Sequence, residues 1–211
     1  MSTPERAQSH PPTVEAFITP ARIAFADAVR DLADAALTAE DCTDDELRDA
    51  SATLRTIARA LARQSEDAPV RGRRTRVERA AEDYRHRSVV IGSANPLAPG
   101  WEWTEDDDAL TAWGIFSAAY EGPPGLVHGG WIALVFDEFL GMRNANRHHD
   151  ALTGSLSVRY RRPTPLHEPV TVTVREIKDS GRTIVNEATL TCGGTVTATA
   201  EGVFVRTTIA R

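Results

Sequence analysis

Two adjacent carboxylates, Asp137 and Glu138, lie in the middle of an otherwise apolar segment, GPPGLVHGGWIALVFDEFLG, which spans residues 122–141. An unpaired charge among apolar side chains is costly, so an acid in such a segment is usually either paired or functional. On a helix the two side chains would point about 100° apart and could not serve one site equally. We therefore expect one of them at a reacting centre and the other against a polar partner or solvent.

A histidine and two glycines, His128, Gly129 and Gly130, precede the apolar run. A helix that begins here has unpaired first amides and a partial positive charge at its N-terminus. Glycine lets a substrate carbonyl oxygen approach such amides without a Cβ in the way, and the amides would then hold an oxyanion. The alternative is structural: the glycines make a tight start to the helix, and His128 caps it.

The hydrophobic pattern of the second half of the chain predicts the elements that position these residues. A helix of about four turns is expected from Gly129 to Arg143. Alternating apolar and polar residues predict strands at 101–104, 110–117, 152–161, 170–178, 183–192 and 195–206. A single apolar helix must be wrapped by the sheet, since nothing else remains to cover it. We therefore predict an α+β fold.

The first half of the chain predicts helices. Residues 1–13 are polar and proline-bearing, and we expect them to be frayed. Thr19-Pro20 marks the start of a first helix, and Thr43 with Glu46 forms a capping box for a second. The apolar stripes are Phe25, Val29, Leu32 and Ala36 on the first helix and Leu47, Leu54, Ile57 and Leu61 on the second. The two predict an αα-hairpin whose narrow stripe needs another surface.

An arginine-rich region connects the two halves, with seven arginines between residues 71 and 87. One interpretation, which we favour, is a solvated helix face on which arginines and acids support one another. The other is a patch for an anionic ligand such as a nucleotide phosphate. We expect an N-terminal helical extension and linker over residues 1–87 and the main domain over residues 88–211.

Composition narrows the function classes. The formal net charge of −6 gives no expectation of nucleic acid as a partner. No signal peptide and no apolar run of about 20 residues is evident, so we expect a cytoplasmic protein without membrane contact. The two cysteines, Cys42 and Cys192, have no metal-ligand spacing. Adjacent histidines in a loop, His148 and His149, rarely converge on one ion, and we expect no metal.

Three features together resemble the hotdog-fold acyl-CoA thioesterases of the branch with His-Gly-Gly before the central helix. They are the turn Gly122–Gly130, the carboxylate Asp137 nine positions after His128, and the strand segment TGSLSVRYRRP that begins at Thr153. The resemblance covers roughly residues 88–206. It implies a hotdog fold, an antiparallel sheet wrapped round one central helix, with an N-terminal helical extension that has no counterpart in minimal members.

The resemblance also implies an activity and a set of site residues. The activity is hydrolysis of an acyl-CoA thioester, with coenzyme A as part of the substrate and no separate cofactor. Asp137 would be the general base or nucleophile, Gly129 the oxyanion donor with Gly130 assisting, and Thr153 the residue that orients water or the carboxylate. His128 would orient the turn. The coenzyme A phosphates would meet Arg159, Arg161 and Arg162, although a solvated strand end is an equal interpretation.

The spacing of Gly129 and Asp137 makes a further demand. Eight residues separate them, which is about 12 Å along a helix axis. One thioester carbon therefore cannot be held by both residues of the same chain. Two antiparallel copies of the helix would satisfy both, so we expect a homodimer, or a dimer of dimers, with the site across its two-fold interface.

Two other functions fit the same fold. One is a non-catalytic acyl-CoA-binding or sensing module whose output is the N-terminal helices. The other is a hotdog-type enoyl-CoA hydratase, which would need an Asp/His pair at the acyl chain, and no such pair is evident in the sequence. We expect the N-terminal hairpin to pack against the main domain.

Overall fold

The computed structural model describes residues 19–66, 85–147 and 149–207 of the chain. The elements, in order, are helices α1 (Pro20–Thr38) and α2 (Asp44–Glu66), strands β1 (Glu102–Glu105) and β2 (Leu110–Ile115), a short 3-10 helix (Ala118–Tyr120), the central helix α3 (Gly129–Asn146), and strands β3 (Ala151–Tyr160), β4 (Pro169–Asp179), β5 (Thr183–Cys192) and β6 (Thr195–Arg206). The predicted strands and central helix are confirmed, with differences only at their ends. The expected fraying of residues 1–13 and most of the arginine-rich region lie outside the described residues.

The strands form one six-stranded sheet in the order β1-β2-β4-β5-β6-β3. Every neighbouring pair is antiparallel. The β5–β6 hairpin turns at Gly193 and Gly194, which both have positive φ, +54° and +75°. Such a turn favours glycine because side chains rarely adopt that backbone region. The order leaves β1 and β3 as the edge strands.

The core lies between one face of the sheet and α3. Strands β4, β5 and β6 turn alternate apolar side chains inward, because successive strand residues face opposite sides of the sheet. The buried residues include Val170, Val172, Val174, Ile184, Leu190 and Phe204 from the sheet and Ile132, Val135, Phe136, Phe139 and Leu140 from α3. The predicted α+β class is confirmed, and the arrangement is the hotdog fold.

A buried arginine ties the C-terminal end of α3 to the β1–β2 turn. Arg143 is 1% exposed, and its guanidinium donates to Glu105 Oε1 at 2.6 Å. It also donates to the carbonyl oxygens of Asp106 and Asp107, both at 2.8 Å. A buried charge is tolerated only when it is paired and hydrogen-bonded in this way. These contacts fix the C-terminal end of the central helix. The candidate site lies nearer to its N-terminal end.

Both N-terminal helices begin as predicted. The Thr19 side chain accepts a hydrogen bond from the Arg22 amide at 3.3 Å, with Pro20 at the first helical position. At the start of α2 the Thr43 amide donates to Glu46 Oε2 at 2.9 Å, and the Glu46 amide donates to Thr43 Oγ1 at 3.3 Å. The predicted capping box is therefore confirmed.

The predicted αα-hairpin is wrong. Helix α1 packs on the 3-10 helix with a face that includes Ala26, which is buried, while Phe25 and Leu32 remain exposed. In α2 every side chain from Asp44 to Arg63 is exposed, so no described part of the chain covers its apolar stripe. Helix α1 is held instead by polar contacts of Arg30 with Asn95 and of Asp34 with Ala118. The spacing of its apolar residues does not reveal these contacts. Nowhere in the described residues is a helix both long and apolar enough for a bilayer.

Candidate active site

Helix α3 begins with a histidine cap. His128 has extended backbone angles, φ −63° and ψ 129°, and its Nδ1 accepts a hydrogen bond from the Gly130 amide at 2.9 Å. An accepting Nδ1 requires the proton on Nε2. The capping interpretation of His128 is confirmed. Because the Gly130 amide is bound by the cap, it is not available to an oxyanion in this arrangement, contrary to the assisting role expected for it.

The amide of Gly129 is the one that the helix start leaves open. It makes no hydrogen bond within the described parts of the chain, as expected for a first helical residue. The Gly129 carbonyl accepts from the Tyr160 hydroxyl at 2.8 Å. A Cβ at Gly129 would lie 3.2 Å from the Tyr160 ring, closer than most carbon contacts. Glycine is thus favoured where the phenol crosses the helix start.

The carboxylate of Asp137 is half-buried and hydrogen-bonded. It lies on the face of α3 that is turned away from the sheet core, with Ala133, Leu134 and Gly141 as half-buried neighbours on the same face. The Thr153 hydroxyl of β3 donates to Asp137 Oδ1 at 3.0 Å. Its other oxygen, Oδ2, has no hydrogen bond to the described residues, so it can accept one from a further group.

The adjacent acid, Glu138, belongs to a different contact. Its Oε1 accepts a hydrogen bond from the Ser88 hydroxyl at 3.0 Å. Ser88 in turn accepts from the Val90 amide at 3.1 Å, which fixes the turn after residue 88 against the helix. The prediction that Glu138 meets a polar partner is confirmed. Ser88 itself carries no sequence signal that links it to Glu138, since 50 residues separate the two.

A bulge in β3 brings Thr153 and Tyr160 to the same side of the strand. The two residues are seven positions apart, and in a regular strand an odd separation places side chains on opposite faces. Thr153 pairs with Phe204 and Ser155 with Val203, so Gly154 is the extra residue of the bulge. Thr153 therefore reaches Asp137 while Tyr160 reaches Gly129, at the two ends of one helical face.

The turn before His128 is closed by backbone hydrogen bonds and an aromatic pair. The His128 amide donates to the Tyr120 carbonyl at 2.9 Å. The Tyr120 ring meets Trp131 edge-on, with centroids 4.8 Å apart. Burial raises the pKa of the Tyr120 phenol to about 12; the nearby Arg30 charge lowers this pKa slightly, and the Asp34 charge raises it slightly. The 3-10 helix thus reaches the first residues of α3 directly.

The three candidate arginines lie on the exposed surface. Arg159, Arg161 and Arg162 are all exposed, and Arg161 Nε donates to Thr199 Oγ1 at 3.3 Å. Arg159 lies in β3 next to Tyr160, so its side chain faces away from α3. The structure brings Thr153 to Asp137 and Tyr160 to Gly129, and leaves the arginines on the outer surface. No group of three potential metal ligands occurs among the described residues.

Comparisons with known proteins identify the family of this chain. A family model for the thioesterase superfamily matches residues 124–201. A solved crystal structure of a thioesterase superfamily protein is 33% identical, with a TM-score of 0.78, over 89% of this chain and 92% of that chain. The chain belongs to the thioesterase superfamily. The match extends well beyond the residues of the family model, so the similarity takes in part of the N-terminal helical region.

More distant solved structures cover about half of this superfamily member. A hypothetical thioesterase protein with coenzyme A, from Streptococcus pneumoniae TIGR4, is 18% identical over 51% of this chain and 89% of that chain, with a TM-score of 0.49. A Streptococcus mutans UA159 protein bound to acetyl-CoA is 20% identical over 51% of this chain and 89% of that chain, also with a TM-score of 0.49.

Sequence reasoning missed Tyr160 as a residue of the candidate site. The segment that carries the resemblance contains Tyr160. In a regular strand, however, the odd separation of seven positions places its side chain on the face of the sheet opposite to that of Thr153. Gly154 was the available signal, because an isolated glycine inside a strand pattern often marks a bulge. A bulge at Gly154 moves Tyr160 onto the helix side.

Proposed function

We propose that this protein hydrolyses an acyl-CoA thioester to a free acid and coenzyme A, at a site shared by two copies of the chain. The proposal rests on membership of the thioesterase superfamily and on one geometric observation. The Asp137 carboxylate, bound by Thr153 at 3.0 Å, lies on the same helix as the open Gly129 amide, eight residues away. The carboxylate can promote attack on a thioester carbonyl carbon, and the amide can donate a hydrogen bond to the carbonyl oxygen.

The chemistry follows from what each group can do. As general base, Asp137 takes a proton from water, and the water oxygen attacks the thioester carbon. The carbonyl oxygen becomes an oxyanion that accepts a hydrogen bond from the Gly129 amide. Collapse of the intermediate expels the coenzyme A thiolate. If Asp137 attacks instead, the thioester C–S bond breaks, the coenzyme A thiolate leaves and an acyl anhydride forms, which water hydrolyses to the free acid in a second step.

The separation of the two groups favours a two-fold site. Eight helical residues span about 12 Å, which is too far for both groups to reach one carbon from the same helix. The half-buried α3 face that carries Asp137 also carries Ala133 and Gly141, and small residues permit close approach of a second helix. The ten-residue edge strand β3 has one side unpaired by any strand of the described chain. An edge of that length invites pairing with a second copy.

The first experiment is turnover of a panel of acyl-CoA substrates by the wild type, Asp137→Asn and Glu138→Gln. Asp137→Asn preserves shape and removes the base, so we expect a loss of about 10³-fold or more in kcat. Glu138→Gln retains the Oε1 acceptor for Ser88 and is the matched control, with activity close to wild type. Near-normal turnover in Asp137→Asn eliminates the assignment. Tight binding by calorimetry without any turnover favours a non-catalytic binding module.

The shared site is tested by mixing two inactive variants. Gly129→Pro removes the amide hydrogen at the first helical position, where proline is tolerated, and His128 already has the extended angles that precede proline. Co-expressed Gly129→Pro and Asp137→Asn chains form mixed dimers with one intact site. Random pairing then restores about a quarter of wild-type activity. Gly129→Ala keeps the amide and controls for the contact with Tyr160. A site within one chain gives no restoration.

A further inference from the structure

The Asp34 carboxylate of helix α1 is hydrogen-bonded to the turn that leads into the candidate site. Asp34 Oδ1 accepts a hydrogen bond from the Ala118 amide at 2.7 Å, across 84 residues of sequence. Ala118 begins the 3-10 helix, and Ser117, its N-cap, makes no side-chain capping bond. Asp34 therefore supplies the cap that the local sequence lacks.

Hydrogen bonds and the short 3-10 helix connect that cap to the residues on either side of Gly129. The 3-10 helix ends at Tyr120, whose carbonyl accepts from the His128 amide at 2.9 Å. His128 then binds the Gly130 amide through Nδ1, at 2.9 Å. Gly129 lies between these two bonded residues, so its amide direction is set by the bonds on either side.

A second contact holds α1 in place over the turn. Arg30 Nη1 donates to the Asn95 carbonyl at 2.8 Å, and the Arg30 side chain is mostly buried and paired with Asp27. The Tyr120 hydroxyl donates to the Leu97 carbonyl at 3.1 Å, in the same loop. The loop after Ser88 and the 3-10 helix are thus both bound to α1.

We infer that Asp34 is a positioning residue for the turn from Ala118 to Gly130, which carries the Gly129 amide. Through Asp34, helix α1 helps to hold the candidate site in its geometry. The inference rests on the proposed function where it predicts kcat and KM, and the predicted change in hydrogen exchange does not depend on that function. Backbone donors act on a transition state through their geometry, so a small displacement lowers the rate of the chemical step more than substrate binding. Asp34 acts through Ala118 and Tyr120 and does not touch the substrate.

Three substitutions test the role. Asp34→Ala removes the acceptor of the hydrogen bond, and Asp34→Asn keeps an uncharged acceptor. Ala118→Pro removes the amide donor instead. Proline fits there because Ser117, the residue before it, already has an extended backbone. We expect kcat to fall about tenfold in Asp34→Ala and Ala118→Pro, with KM within about twofold. Asp34→Asn should recover most of the loss. Asp31→Ala, an exposed carboxylate of α1 without a hydrogen bond in the described residues, should match wild type.

Hydrogen–deuterium exchange gives a readout that does not depend on activity. Peptides that cover residues 116–131 should exchange faster in Asp34→Ala and Ala118→Pro than in the wild type or Asp31→Ala. Unchanged exchange and kcat, or equal effects from Asp31→Ala, overturn the inference. If the wild type hydrolyses no acyl-CoA but the exchange pattern holds, the positioning role stands and the proposed function fails. If Asp34→Ala does not fold, Ala118→Pro and Asp34→Asn decide the same question.

Discussion

The Thr153 hydroxyl donates a hydrogen bond to Asp137 Oδ1 at 3.0 Å, so strand β3 holds the carboxylate of helix α3 in one orientation. Removing the hydroxyl in Thr153→Ala leaves the acid ionisable but free to rotate. We expect kcat to fall about 10- to 100-fold, since one hydrogen bond to a charged group contributes roughly 1.5–3 kcal/mol. Steady-state kinetics on the best acyl-CoA substrate measures the change. Thr153→Ser retains the hydroxyl and should recover activity, and failure of the serine to recover it contradicts the orienting role.

The hydroxyl of Tyr160 is predicted to steady the start of α3. Tyr160→Phe keeps the ring over Gly129 and removes only the bond to its carbonyl. We expect a loss of about three- to tenfold in kcat, because a single neutral hydrogen bond contributes roughly 0.5–1.5 kcal/mol. The measurement is kcat and KM together, with circular dichroism as a check on folding. A rise in KM at constant kcat would instead assign the phenol to substrate binding.

The exposed arginines offer a test of coenzyme A binding. Arg159 and Arg162 are replaced by alanine together, while Arg161 is left to hold Thr199. If they bind phosphates, KM should rise about tenfold with kcat unchanged. Because exposed charges are screened, the effect should shrink as salt increases. Arg182→Ala, in the exposed β4–β5 turn, is the matched control. An equal effect of that variant rejects a specific phosphate contact.

The ion pair between Asp179 and Arg206 predicts how stability depends on pH. Hydrogen bonds from Arg206, first, and from the Gly181 amide lower the pKa of the Asp179 carboxyl to about 2. A lowered folded-state pKa stabilises the protein above the ordinary aspartate range, and the contribution is lost as pH falls towards 2. Urea unfolding of wild type and Asp179→Asn should therefore differ most near neutral pH and converge as pH approaches 2. A difference that persists undiminished at low pH contradicts this origin.

Local pattern predicted most of the fold. The apolar run from Trp131 to Leu140 predicts the central helix, and the alternating apolar and polar residues after it predict strands. Both patterns depend on residues close together in sequence, and the structure confirms both. The Asp137–Thr153 pairing came from resemblance to a family and not from the residue pattern. A threonine in a strand is ordinary, and only the fold shows that it meets an acid on the helix.

The contacts that sequence could not predict are the long-range polar ones. Asp34 and Arg30 set the packing face of α1, although the apolar spacing of Phe25 and Leu32 pointed elsewhere. The apolar stripe of the two helices was expected to pack against the main domain, and the part of it on α2 is not covered by any described residue. Capping of Gly130 by His128 was one of two open interpretations, and only coordinates distinguish a bound amide from an open one.

The bulge at Gly154 restricts how β3 can change in length. Its extra residue is what lets Thr153 and Tyr160 face the same helix. Regular pairing through Gly154 at the present length, or one residue inserted between Gly154 and Tyr160, would turn one of the two side chains to the far side of the sheet, where it cannot reach α3. Variants that keep both contacts must therefore either keep the bulge and change the length of this segment two residues at a time, or lose the bulge together with its one extra residue.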